Sequence, residues 1–215
     1  MRIACIGYRK WALNIYDKLA TTTDHTLLIL RSKSQYDIEL LNSFRPDLLL
    51  FYGWSWVVPS HLINNYTCLM LHPSPLPRYR GGSPIQNQII AGETSSKVTI
   101  FVMSDQLDAG DIVAQQDLDL TGTLDQIFSR IEDIGLKLTN ELLTVGIQRM
   151  PQDHSSATFC ERRTSAESEI THEELTNQSA LYLYNKIRML ADPYPNAYIM
   201  TADGKRLFIT SAHIE

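Results

Sequence analysis

Cysteine is scarce in this sequence. Cys5, Cys68 and Cys160 are odd in number, widely spaced and form no Cys-x-x-Cys pair, which argues against a disulfide framework and the usual zinc spacings. Cys5 and Cys68 fall inside apolar strand patterns, where a thiol packs as a small hydrophobe, and no metal is expected. Long apolar runs are also missing. Stretches such as Leu48–Phe51 and Ile199–Met200 fall far short of the ~20 residues that span a bilayer, so no membrane partner is expected. Met1-Arg2 leads straight into Ile3-Ala4-Cys5-Ile6, too short for a signal-peptide core. It reads as a first buried strand, and the expected setting is cytoplasmic. A basic excess is lacking too. The 215 residues carry a net charge of −5, and from Pro151 onward nine acidic residues stand against six basic ones. Nucleic-acid binders cluster Lys and Arg to displace counterions from phosphates, so a nucleic-acid partner is disfavoured. Finally, Gly7-Tyr8-Arg9-Lys10-Trp11 after the first strand is not a three-glycine turn, which argues against nicotinamide or flavin chemistry.

Short apolar runs alternate with longer amphipathic ones, the signature of a βαβ series. The pattern predicts strands at 2–6, 26–30, 47–51 and 68–71, with helices at 11–19, 35–44 and 59–64 between them. Pro84 and Gly92 bracket a helix over 83–91. Residues 97–103 and 112–119 alternate like strands. Thr123 is placed to cap the longest helix, 123–146, with Ile127, Ile131, Ile134, Leu138 and Leu142 along one face. The polar stretch 151–171 reads as a linker that crosses back over the domain. A helix at 179–190 follows, then a hairpin of 197–201 and 206–212 turned at Asp203-Gly204. The expected fold is α/β: a Rossmann-like open, mostly parallel sheet with a small C-terminal α+β appendage. Residues 1–150 form the catalytic domain and 151–215 the linker and small subdomain.

Open parallel sheets bind ligands beyond the carboxyl ends of their strands, and two polar segments are expected there. One runs from Leu71-His72 to Ile85; the other is Asp105-Gln106-Leu107-Asp108-Ala109-Gly110-Asp111-Ile112. A lone histidine at a strand end is usually a hydrogen-bonded structural group, and a lone Asp before Ala-Gly is usually a turn residue. Together, His72 and Asp108 make a proton-handling pair, the carboxylate fixing the imidazole.

The stretch His72-Pro73-Ser74-Pro75-Leu76-Pro77-Arg78-Tyr79-Arg80-Gly81, with Leu107-Asp108-Ala109-Gly110-Asp111-Ile112 downstream, resembles the folate-dependent formyltransferase family. The resemblance covers roughly residues 1–150. A weaker one, over 185–197, is to the start of the C-terminal domain in members acting on tRNA or amino sugars. It implies 10-formyltetrahydrofolate as formyl donor, with His72 polarising the formyl group and Asp108 orienting it or shuttling protons. It implies a pterin loop at Gly53–Pro59, with Trp56, Val57 and Val58 against the folate, and a second wall at Asp105, Leu107 and Asp108. Trp54 and Trp56 fit core packing equally well. The family pattern is Asn-x-His-Pro-Ser, and here Met70 stands in the asparagine's place; a thioether donates no hydrogen bond. Gln86, Asn87 or Ser74 would replace the lost donor, with Gln86 first; otherwise the enzyme is slow, or the chain is an inactive folate-binding or interaction module. Arg78 and Arg80 around Tyr79 suit a diphosphate with a base or sugar, and equally a solvated loop docked on carboxylates. With Gln86 they make the expected acceptor site for a nucleotide-linked amino-deoxy sugar. The alternative acceptor is methionyl-tRNA.

Overall fold

The structure, a computed structural model, describes residues 1–191 and 194–215; Asp192 and Pro193, inside the 185–197 stretch singled out above, lie outside the described residues. The first half of the chain alternates β1 (Arg2–Ile6), α1 (Lys10–Thr22), β2 (Thr26–Leu30), α2 (Ile38–Phe44), β3 (Leu48–Tyr52), α3 (Ser60–Asn65) and β4 (Cys68–His72). Then come β5 (Arg80–Gly81), α4 (Pro84–Ile90), β6 (Ser95–Val102), β7 (Ile112–Asp119) and α5 (Leu124–Val145). The remainder holds β8 (Phe159–Cys160), α6 (His172–Asn177), α7 (Ala180–Met189), β9 (Ala197–Met200) and β10 (Arg206–Ile209). Among the described residues no helix is long and apolar enough to cross a membrane.

The main sheet runs β2-β1-β3-β4-β6-β7. Its first four strands pair in parallel, and β6 and β7 join antiparallel. β1, β3 and β4 are largely buried on both faces and the edge strand β2 only partly, and their side chains divide with a period of two. Ile3, Cys5, Leu48, Leu50, Leu69 and Leu71 pack on the face covered by α1 and α5. Ala4, Ile6, Leu49, Phe51, Cys68 and Met70 point to the other face. Burial raises the thiols of Cys5 and Cys68 to about 12, consistent with packing groups.

Thr123 caps α5 through a reciprocal box with Gln126, and Ile127, Ile131, Leu138 and Leu142 are buried while Ile134 is partly so. The expected helix over 35–44 starts later, because Asp37 caps Ile38 onward and Lys33–Gln35 forms a separate 3-10 turn. The expected hairpin is present as β9 against β10. Two elements were not anticipated: α6, and a two-stranded parallel pairing of β5 with β8. Ile170, Ile187, Met189 and Ala197 share one apolar cluster with Ile3 and Leu50, so the C-terminal segment packs into the main core.

Candidate active site

His72 is the last residue of β4, and the period of two that sends Cys68 and Met70 to one face carries it to the same face. A cavity of about 690 Å³ opens there, lined by Trp54, Trp56, Met70, His72, Gln86 and Asp108 among others. That volume lies within the ~300–1,000 Å³ usual for small-molecule sites.

The loop carrying Asp108 does not leave from the edge the sequence suggested. Because β6 runs antiparallel to β4, Val102 lies beside Leu69 and Thr99 beside His72. Residues 103–111 therefore start at the far end of β4, where Met103 N–H donates to the Cys68 carbonyl at 2.8 Å, and Asp108 comes back to His72. His72 Nδ1 and Asp108 Oδ2 are 3.7 Å apart, with both side chains 8% exposed. The same Oδ2 accepts from the Gly81 N–H at 2.8 Å. His72 Nε2 lies 2.9 Å from the Tyr79 carbonyl oxygen. A carbonyl only accepts, so the ring proton sits on Nε2 and Nδ1 faces the carboxylate. Asp108 and Tyr79 both hold a positive φ, 49° and 59°. Such backbone costs roughly 1–2 kcal/mol per non-glycine residue and collects at functional sites.

What holds this floor together comes from the segment read as a linker. Phe159–Cys160 pairs with Arg80–Gly81, and the chain passes so close that a Cβ on Gly81 would sit 2.3 Å from the Cys160 carbonyl oxygen. One on Gly82 would meet the Arg162 backbone at 2.6 Å. Two glycines are required here for close approach, a signal readable in Gly81-Gly82 but not its target. Gln152, buried, donates to the carbonyls of Asp108 and Gly110 at 2.9 and 2.7 Å and accepts from Arg80 at 2.6 Å. Sequence reasoning missed Gln152, and also Arg162 and Arg163, which the strap brings to the cavity rim.

The expected acceptor residues divide. Gln86 lines the cavity, but Arg78, Tyr79 and Arg80 do not. Arg78 and the Tyr79 hydroxyl both bond Glu93, at 2.8 and 2.9 Å. Arg80 is buried, with its guanidinium on Gln152 and 3.1 Å from His154 Nδ1; burial lowers its pKa, against the opposing pull of Asp108. Burial likewise raises the Cys160 thiol, with Asp108 adding to the rise and Asn87 opposing it.

The residues expected against folate all line the cavity. Trp54 packs among Tyr36 and Phe51 in the core, while Trp56, tilted 60° to it with centroids 4.6 Å apart, is partly exposed. Val57 is 94% and Leu107 62% exposed, whereas Val58 is buried; Asp105 is exposed as well. A reduced pterin, flat with donors and acceptors on its edge, fits such a slot: apolar walls, plus the buried Trp54 Nε1, which has no partner among the described residues. Among the described residues no group of His, Cys, Asp and Glu could hold a metal ion.

The formyl transferase family signature matches residues 12–143. A methionyl-tRNA formyltransferase of Rickettsia typhi is 34% identical over 172 residues, covering 77% of this chain and 55% of the relative. The chain thus spans little more than half the length of the curated relatives it matches. The solved methionyl-tRNA formyltransferase from Clostridium thermocellum superposes with a TM-score of 0.90 at 31% identity, covering 100% of this chain and 94% of that one. A 4-N formyltransferase from Francisella tularensis shares the fold, with a TM-score of 0.80 at 18% identity over 100% of this chain and 98% of that one. On the matched family signature, the curated relatives and the shared sheet fold, the chain belongs to the formyl transferase family.

Proposed function

We propose that this chain transfers a formyl group from 10-formyltetrahydrofolate to a primary amine, with methionyl-tRNA as the acceptor. The observation that carries the transfer reading is the buried His72–Asp108 pair at the floor of a mostly apolar cavity. Bound folate would supply an activated formyl carbon. Trp56, Val57, Val58 and Leu107 would cover its ring, with Asp105 at the rim. His72 Nε2–H is committed to the Tyr79 carbonyl, so Nδ1, 3.7 Å from the Asp108 carboxylate, is the atom that takes up and returns a proton. Asp108, held by the Gly81 N–H and the strap, keeps that proton path fixed rather than mobile. The amine forms its bond to the formyl carbon, the carbon–nitrogen bond to the donor breaks with its electron pair kept by the donor nitrogen, and the proton shed by the amine reaches that nitrogen through this pair.

The acceptor departs from the one expected from sequence. Relatives at 34% and 31% identity are methionyl-tRNA formyltransferases, whereas the nucleotide-sugar expectation leaned on Arg78, Tyr79 and Arg80, which lie outside the cavity. The net charge of −5 supports the amino-sugar nucleotide as a second reading. The test is formyl transfer from 10-formyltetrahydrofolate to methionyl-tRNA and, in parallel, to a panel of amino-sugar nucleotides. Turnover on methionyl-tRNA alone supports the first acceptor and turnover on a sugar alone the second. Folate binding with transfer to neither overturns the enzymatic reading in favour of a binding module.

A further inference from the structure

Three polar side chains on the loop and helix that follow His72 have spent their donors. Ser74 Oγ donates to the Arg78 carbonyl at 3.0 Å. Asn87 Nδ2 donates to the carbonyls of Gly82, Ser83 and Glu161 at 3.0, 3.1 and 3.0 Å. Gln88 Nε2 donates to those of Pro73 and Pro84 at 3.0 and 2.9 Å. Gln86 differs. It is 2% exposed, lines the cavity with His72 and Asp108, and its Nε2 has no partner among the described residues. A buried donor left unmade costs roughly 1–3 kcal/mol, so in a folded protein such a group calls for an explanation, and at the wall of a cavity a ligand that completes it is one.

Among the described residues two other unpartnered buried donors reach the same cavity, and both are placed for other work. Trp54 is wedged among Phe51, Tyr36 and Trp56. Arg163 lies on the strap, where its Nη2 bonds the Glu167 carbonyl and Nη1 pairs with the Glu167 carboxylate. Gln86 instead sits on α4, five residues beyond the Gly81 N–H that anchors Asp108. Met70, on the same face of β4 as His72 and in the same cavity, has no hydrogen to give.

We propose that the Gln86 Nε2–H donates to the formyl oxygen during transfer, the role Met70 cannot take; this rests on the formyl-transfer reading above. As the amine nitrogen bonds to the formyl carbon, the carbonyl electron pair moves onto oxygen, where Gln86 holds it. The pair returns as the bond to the donor nitrogen breaks, and the amine's proton leaves by His72 and Asp108. Gln86 carries no charge and exchanges no proton, so its contribution is a fixed dipole.

The test is Gln86→Leu, which keeps an apolar side chain in place and removes the donor. Turnover is expected to fall by about 10²–10³-fold, with the KM for the folate donor little changed. The thermal midpoint should hold or rise, because an unsatisfied buried group has gone. Equilibrium binding adds a readout independent of turnover: a stable formyl-bearing folate analogue is compared with the same analogue lacking the formyl group. The variant should lose about three- to tenfold of the preference for the formyl-bearing one. Adding Met70→Asn should recover about tenfold of the lost turnover. Turnover within threefold of the natural protein, an unchanged binding preference, or a loss that tracks a lowered thermal midpoint and resists Met70→Asn would each overturn the role of Gln86. Absence of transfer by the natural protein would overturn the functional reading instead, and the binding preference would still decide whether Gln86 reads the formyl oxygen.

Discussion

From His72 to Gly82 the groups that bear on proton transfer are buried and bonded one to another, whereas Trp56–Val57 and Asp105–Leu107 present exposed surface across the same cavity. His72, Arg80 and Asp108 are 6%, 4% and 8% exposed, against 94% for Val57 and 62% for Leu107. The first side is organised by directional contacts: Tyr79 carbonyl to His72, Gly81 N–H to Asp108, Gln152 to the Asp108 and Gly110 carbonyls. The second is organised by shape. Groups that must exchange a proton need a fixed geometry, so they are locked before any ligand arrives. A wall that grips a flat ring gains most of its energy from apolar surface covered on binding. The two sides should therefore respond to mutation in opposite ways, one through stability and turnover, the other through affinity alone.

The largest stability effect is expected at Gln152. Gln152→Leu leaves Arg80 with His154 as its remaining side-chain partner and strips the Asp108 and Gly110 carbonyls of theirs. A loss of about 2–3 kcal/mol is expected in chemical denaturation, with turnover falling as the Asp108 loop loosens. A change below about 0.5 kcal/mol would mean that the strap does not brace the floor. Val57→Ser gives the opposite signature. Its side chain has little folded-state burial to lose, so denaturation should not move. Folate affinity should weaken about tenfold, because covering a valine is worth roughly 1.5 kcal/mol. An unchanged affinity would remove Val57 from the folate wall. The smallest effect is expected for Arg78→Ala, whose half-exposed ion pair with Glu93 is worth about 0.2–1 kcal/mol. The KM for the acceptor should stay the same, and a marked rise would restore the acceptor role first inferred for that loop.

The same contrast explains how much was legible in the sequence. Strand β7 was located residue for residue at Ile112–Asp119, and β4 to within one residue of its end, because apolar period and turn residues are local signals. His72 and Asp108 were singled out by motif, and the fold brings them within 3.7 Å. The β5–β8 pairing was missed because two-residue strands carry no period, and Arg80 meets Phe159 from 79 positions away. That missing contact also left the surroundings of Arg78, Tyr79 and Arg80 unread. Their composition suited phosphate binding and a loop docked on carboxylates equally well; the structure puts Arg78 and the Tyr79 hydroxyl on Glu93, and Arg80 on Gln152, 72 positions away. Direction was lost for a similar reason. Periodicity finds β6 but does not say that it runs antiparallel to β4, so the route of the Asp108 loop across the sheet was not readable.

The central claim is that Asp108 serves the reaction at a fixed floor and leaves folate binding to the other wall. It is tested most directly by measuring turnover and folate Kd together in Asp108→Asn, which keeps size and an acceptor for the Gly81 N–H. Turnover should fall by about 10²–10⁴-fold, the span usual for a lost proton-handling group, while the folate Kd changes by no more than about threefold, a small energy on the affinity scale. Turnover near that of the natural protein, or a parallel collapse of turnover and folate affinity, would contradict the division of labour drawn from this cavity.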